Sequence, residues 1–117
     1  MTKNALCHIE WSSTDLDRSE RFFNGLFGWE FNKHSVDYYM YDSSDGVGGG
    51  LMKVEKVEPG SSPVIYFCVD KIKPYLEKVT GLGGSVKQGK TSIPDYGFYA
   101  LLEDPDGNLV GLFKSKD

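Results

Sequence analysis

Cysteine is scarce in this chain, with only Cys7 and Cys68 among 117 residues. Two cysteines without finger-type spacing exclude a disulfide scaffold and a cysteine-built structural zinc site. Basic runs are also missing. Seventeen acidic against thirteen basic residues leave a net charge of −4 and a pI near 5.1. A surface of that sign repels phosphate backbones, so no nucleic-acid partner is expected. No stretch approaches the ~20 apolar residues of a membrane span, and no membrane partner is expected. The opening MTKNALCHIEW carries no long apolar run after Lys3. A signal peptide is therefore not expected, and the expected setting is cytoplasmic.

What is present describes an ordinary globular chain. Apolar residues make up 39%, charged 26% and aromatic 14%, which excludes disordered and fibrous classes. A chain of this size buries roughly two thirds of its unfolded surface, so it needs no metal or cross-link for stability.

Leu6 to Trp11 alternate and read as a strand. In SSTDLDRSERFFNGLFG the Ser and Thr residues offer a helix cap, Asp15 and Asp17 occupy the first turn, and Leu16, Phe22, Phe23 and Leu26 recur at helical spacing. Gly25 or Gly28 supplies a left-handed stop. Trp29 to Phe31 and Asp37 to Asp42 are extended, SSDGVGGG reads as flexible, and a strand runs from about Gly50 to Glu55. Glu58 to Pro63 forms a linker. After it the order returns. Val64 to Val69 is a strand, and Lys71 to Thr80 a helix with Ile72, Tyr75, Leu76 and Val79 as its buried stripe. Ser85 to Lys87 is extended, Gly97 to Glu103 and Leu109 to Lys114 are strands, and Asp104 to Asn108 (DPDGN) is a turn between them.

Each half thus reads β, α, β, β, β, and the halves align. At an offset of 56, Gly25 falls on Gly81, Leu26 on Leu82, Gly28 on Gly84, Leu16 on Ile72 and Phe23 on Val79. Toward the ends the offset grows to 61, placing Gly50, Leu51 and Met52 on Gly111, Leu112 and Phe113. A duplicated module explains both the matches and the shared order of elements.

The pieces CHIEW, LFGWEF, GVGGGLM, VIYFCVDKI, GLGG and GFYALLEDPDGNLVGLF, spread from Leu6 to Lys114, resemble the vicinal oxygen chelate superfamily. It includes glyoxalase I, bleomycin-resistance proteins and extradiol dioxygenases. The resemblance implies an α+β fold: two βαβββ modules forming a cup-shaped, barrel-like mixed sheet with helices outside. It implies one domain over residues 1–117, with modules at 4–57 and 62–115, and a homodimer. Metal-dependent members hold a divalent ion through one ligand from the first and one from the last strand of each module. Here those positions correspond to His8, Val64, Gly50 and Gly111. One donor in four remains, and a tight site needs at least three. The resemblance therefore points to a metal-depleted branch that binds a small organic, hydrophobic or aromatic molecule without a cofactor. The alternative is a lyase, isomerase or dioxygenase-like enzyme whose divalent metal sits in a remodelled site around His8, with Glu10 as a second ligand.

Strand alternation assigns the faces. Leu6, His8 and Glu10 share one side of the first strand, and Val64, Tyr66 and Cys68 the matching side of the fifth. Met52 and Phe113 follow Gly50 and Gly111 on that side. The candidate ligand-binding residues are His8, Glu10, Met52, Tyr66, Cys68 and Phe113, and no catalytic or metal-holding residue is assigned. Either Tyr39 and Tyr41 or Tyr38 and Met40 add to the lining; alternation alone leaves both registers open. Each candidate also has a plainer reading. His8 fits a hydrogen-bonded core histidine, Glu10 a strand end in solvent, and Cys68 a small buried hydrophobe. Cys7 and Cys68 fall on opposite faces and are expected to stay unpaired. Phe22, Phe23, Trp29 and Phe31 are expected in the core.

Residues 84–91, GSVKQGKT, match the phosphate-loop pattern GxxxxGK[ST]. That loop works only between a strand and a helix whose N–H groups face the phosphates. Here a helix precedes it, SVK is strand-like, and a turn at Pro94 to Gly97 follows. A nucleotide-binding loop is therefore not expected.

Overall fold

The computed structural model describes residues 3–42 and 46–116. The start of the flexible SSDGVGGG stretch, Ser43 to Asp45, lies outside the described residues. The architecture is α+β and the chain divides into two compact units, His8–Val64 and the residues up to Cys7 together with those from Ile65 onward.

The first module runs β1 (Leu6–Ser13), α1 (Leu16–Phe27), β2 (Phe31–Ser35), β3 (Tyr38–Tyr41) and β4 (Gly49–Lys53). Its strands lie in the order β2, β3, β4, β1. The last strand pairs with the first in parallel, with Glu10 level with Gly50 and Trp11 level with Leu51. Asp15 has the extended backbone of an N-cap and accepts from the Arg18 N–H, a bond that satisfies one of the helix's orphan donors. Gly28 ends α1 at φ 75° and donates to Asn24 O, a conformation favouring glycine. The helix lies on one sheet face, where Leu16, Tyr39 and Leu51 form a buried cluster with Trp11, Phe23 and Phe31 around it. Trp29 stacks on Tyr41, whose ring lies 4.2 Å away.

The expectation that Phe22 belongs to the core is corrected here: it is 60% exposed, and Leu26 on the same helix 59%. Leu16 and Phe23 stand two turns apart and define the line of α1 that meets the sheet. Phe22 lies about 100° round the helix from Phe23 and misses that line.

The second module repeats the plan. It runs β5 (Val64–Cys68), α2 (Lys73–Val79) with a 3₁₀ turn over Thr80–Leu82, β6 (Ser85–Ile93), β7 (Gly97–Glu103) and β8 (Leu109–Ser115). The strand order is β5, β8, β7, β6, and the last strand again pairs with the first in parallel, Tyr66 level with Gly111. Val69, Ile72, Ala100, Leu102 and Leu112 form its core, with Tyr75, Leu76 and Val79 packed against them. This is the stripe expected from the sequence. Asp104 shapes the β7–β8 turn by accepting from the N–H groups of Asp106 and Asn108. The strand β6 continues through Gly89 and Thr91, so GSVKQGKT has no loop in which to cradle a phosphate.

Candidate functional site

With α1 on one face of the first module, alternation puts His8 and Glu10 on the other. Both sit on β1, half-buried, two residues apart. The tyrosine register left open by the sequence is resolved by β3. Tyr39 and Tyr41 turn toward the helix, Tyr39 bonding Asp17 of α1 and Tyr41 receiving the Trp11 indole N–H. Tyr38 therefore faces His8 and Glu10.

Tyr38 organises this face. Its hydroxyl donates to Glu10 Oε1 at 3.0 Å and lies 2.8 Å from His8 Nε2. With the phenol proton given to an ionised Glu10, the Tyr38 oxygen accepts from His8, which puts the imidazole proton on Nε2. The two rings are nearly parallel, 15° apart. Burial lowers the His8 pKa below its ordinary 6.5. Burial also raises Glu10 above 4.5, outweighing the opposing effect of the Tyr38 hydrogen bond. Both groups are thus biased toward their neutral forms.

The tyrosine needs Gly50 beneath it. A Cβ at position 50 would fall within the Tyr38 ring. The second module repeats the device, since a Cβ at Gly111 would meet the ring of Tyr66. Tyr66 also contacts Tyr99, with ring centroids 6.5 Å apart. At Gly50 and Gly111 alike, an aromatic ring covers a bare backbone. His8 and Glu10 share a single tyrosine hydroxyl, and among the described residues no group of three His, Cys, Asp or Glu side chains is gathered. These residues do not fit a divalent ion, which needs more donors than His8 and Glu10 supply.

The six candidates fall into two groups of three. His8, Glu10 and Met52 belong to the first module, where Met52 is level with Tyr38 across β3 and β4. Tyr66, Cys68 and Phe113 belong to the second, where Cys68 is level with Phe113. Tyr66 and Cys68 are buried. Both cysteines are free. Burial, reinforced by the nearby Cys68 sulfur, pushes the Cys7 thiol up to about 11, which keeps it protonated and unreactive at neutral pH. Sequence reasoning offered Tyr38 only as one of two open registers and did not place it in the array with His8 and Glu10.

The paired βαβββ modules, with first and last strands parallel, define the class of protein. A model of the Glyoxalase/Bleomycin resistance protein/Dioxygenase superfamily matches residues 5–112, and the chain belongs to that family. It is 27% identical over 115 residues to CFP32 of Mycobacterium bovis, whose name provisionally assigns it as a glyoxylase; the match takes in 92% of this chain and 44% of CFP32. The chain thus spans under half the length of that relative. A glyoxylase-like domain-containing protein of Didymella fabae is 28% identical over 110 residues, covering 86% of this chain and 85% of its own. Methylmalonyl-CoA epimerase from Mycobacterium tuberculosis superposes with a TM-score of 0.74 over 100% of this chain and 93% of its own, at 12% identity. At that identity the likeness is one of fold.

Two predictions follow from the site. Gly111→Ala drives a methyl into Tyr66, which is buried and has little room to turn, so it lowers stability by about 1–3 kcal/mol in denaturant titrations. Gly50→Ala meets only the outer atoms of half-buried Tyr38, which swings away and gives up its bonds to His8 and Glu10. It costs less stability than Gly111→Ala and makes the His8 pKa, read by NMR, insensitive to Tyr38→Phe. Equal costs at the two glycines would contradict this account.

The pH dependence has opposite signs for the two titrating residues. Folded His8 holds its proton less well than the unfolded chain, so the wild type loses stability relative to His8→Gln as pH falls below 6.5 toward the lowered folded value. Folded Glu10 holds its proton better. The wild type therefore loses stability relative to Glu10→Gln as pH rises from 4.5 to the raised folded value, and the loss persists above it. Denaturant titrations of the three proteins across pH measure both differences.

Proposed function

We propose that the chain binds a small organic molecule, hydrophobic or aromatic, on the strand face opposite the helices, and does so without a divalent metal. The observation that carries this reading is the Tyr38 ring lying over Gly50 with its hydroxyl bonded to both His8 and Glu10. The resemblance to metal-dependent members of the superfamily implies a carboxylate at that position, and this chain has none. An aromatic ring with fixed hydrogen-bonding groups beside a thioether, Met52, instead suits a flat organic ligand with one or two polar atoms. Tyr66, Cys68 and Phe113 form the matching face of the second module, and we assign them apolar contacts. The reading in which His8 and Glu10 hold a catalytic metal requires Tyr38 to surrender both bonds, and no observation favours it.

We further infer a homodimer in a cytoplasmic setting. Phe22, Leu26 and Phe27 of α1 are all more than half exposed, an apolar surface that association would cover. Two unpaired thiols suit a reducing compartment.

Mass spectrometry of molecules released from the purified protein is expected to find a bound organic compound in the wild type and at least about tenfold less in Tyr38→Phe, which keeps the ring and removes the hydroxyl. Elemental analysis of the same samples is expected to find nickel, zinc and iron far below one per chain. A stoichiometric metal, or equal retention by Tyr38→Phe, would reject the reading. Light scattering at micromolar concentration is expected to give a dimer mass, and Phe22→Glu with Leu26→Glu a monomer.

A further inference from the structure

A second set of fixed hydrogen-bonding atoms lies on the strand face of the second module. Phe98, Ala100 and Leu102 of β7 turn to the helix side and join the core, so alternation puts Tyr99 and Leu101 on the other side. Tyr99 is level with Phe113 of β8 and with Thr91 of β6, and its ring meets Tyr66 edge-on, the planes 70° apart. Gln88 is level with Leu101, and the β6–β7 register shifts on both sides of it. Irregularities of this kind re-aim a side chain. Here Gln88 Nε2 lies 2.8 Å from the Tyr99 hydroxyl and 3.1 Å from Thr91 Oγ1.

Counting protons fixes the direction of each bond. Thr91 gives its one hydroxyl proton to Gly89 O, so its oxygen accepts from Gln88, and the amide must turn its nitrogen that way. The same nitrogen donates to the Tyr99 oxygen. Both amide protons are then spent. What remains is the Tyr99 O–H as a donor and Gln88 Oε1 as an acceptor. Among the described residues neither forms a further hydrogen bond. The two stand one amide group apart, on the side of the sheet that also carries Tyr66 and Phe113. Three hydrogen bonds and a ring contact hold the pair in place before any ligand arrives, which lowers the cost of binding.

A donor beside an acceptor is complementary to a carbonyl beside an N–H. A secondary amide in an open chain is trans and points those two groups to opposite sides, whereas a lactam holds them on one edge of a flat ring. A carboxylic acid offers the same edge only while protonated; as a carboxylate at neutral pH it sets an acceptor against Gln88 Oε1. We propose that Tyr99 and Gln88 read the lactam edge of a flat aromatic molecule, the Tyr99 hydroxyl donating to its carbonyl and Gln88 Oε1 accepting from its N–H, while Tyr66 and Phe113 take its ring. This rests on the reading that the strand face binds an organic molecule, and adds which edge of that molecule is recognised. It also gives GSVKQGKT a use other than a phosphate loop, since the Gly89 carbonyl and the Thr91 hydroxyl within it orient Gln88.

NMR titration of the full chain with carbostyril, a bicyclic aromatic lactam, tests it. Carbostyril is expected to bind saturably at millimolar concentration, and its N-methyl derivative, which lacks the N–H, at least about tenfold more weakly. Tyr99→Phe and Gln88→Leu are each expected to weaken carbostyril by about tenfold, and the double variant to bind the two lactams equally. Ser92→Ala, level with Phe98 on the opposite side of β6, is expected to leave the affinity unchanged. Equal affinity of the wild type for the two lactams, or an equal loss in Ser92→Ala, overturns the proposal. Quinoline, which has no lactam edge, separates its failure from that of the reading beneath it. Quinoline bound as tightly as carbostyril leaves an aromatic-binding face without edge recognition and overturns the proposal alone; binding of none of the three compounds overturns both.

Discussion

In each module the last strand returns to lie parallel beside the first, and the register of that pairing sets everything on the face opposite the helix. It brings Gly50 level with Glu10 and Gly111 level with Tyr66. Because adjacent strands stand only about 5 Å apart, a side chain at either glycine would compete directly with its neighbours for the space above the sheet. Leaving the backbone bare lets an aromatic ring lie flat across it. In the first module that ring is Tyr38, and the position it gains is within bonding distance of His8 and Glu10 together. The hydrogen-bonded array therefore depends on an absent Cβ as much as on the three side chains that form it.

The electrostatic character of the array follows from how far it is withdrawn from water. For Glu10 desolvation outweighs the stabilising phenol bond, and for His8 it acts alone. A site built to hold a divalent cation works in the other direction, since the cation's field favours ionised carboxylates. Two groups already bonded to one another through a phenol present fixed hydrogen-bonding atoms and a ring face. That is the physical basis on which we propose an organic ligand in place of an ion.

Much of this architecture was legible in the sequence because duplication writes each structural constraint twice. Gly28 and Gly83 each end a helical segment in the left-handed conformation, and Ile72, Tyr75, Leu76 and Val79 recur at a spacing that only a helix turns to one side. DPDGN encodes its own turn, since Asp104 needs no distant partner to bond the N–H groups that follow it. Two features were hidden for distinct reasons. The side on which Tyr38 falls depends on the register of β3 against β4, which a run of apolar and aromatic residues in DYYMYD cannot encode by alternation. Phe22 and Leu26 share the helical spacing of buried residues, but a single sheet face accommodates only a narrow line of α1, and the aromatic content could not say which line. GSVKQGKT is the converse case: the residue types match a phosphate loop, but the helix before it and the turn after it, both legible in the sequence, exclude one, and the segment is a strand.

The two copies have diverged in where they keep their polar chemistry. His8 corresponds to Val64 and Glu10 to Tyr66, so the second module carries neither imidazole nor carboxylate at these positions of its strand face, and the tyrosine there covers its own glycine partner. Its charge stands instead beside the helix, where Lys90 and Lys114 flank Phe98. Phe98 packs against the core formed by Ile72, Ala100 and Leu112, so a ring anchored in the hydrophobic interior fixes the position of both ammonium groups. A sheet separates the two sides, and successive residues of a strand point to opposite faces. Each face can therefore change its chemistry while the register that builds the other stays fixed.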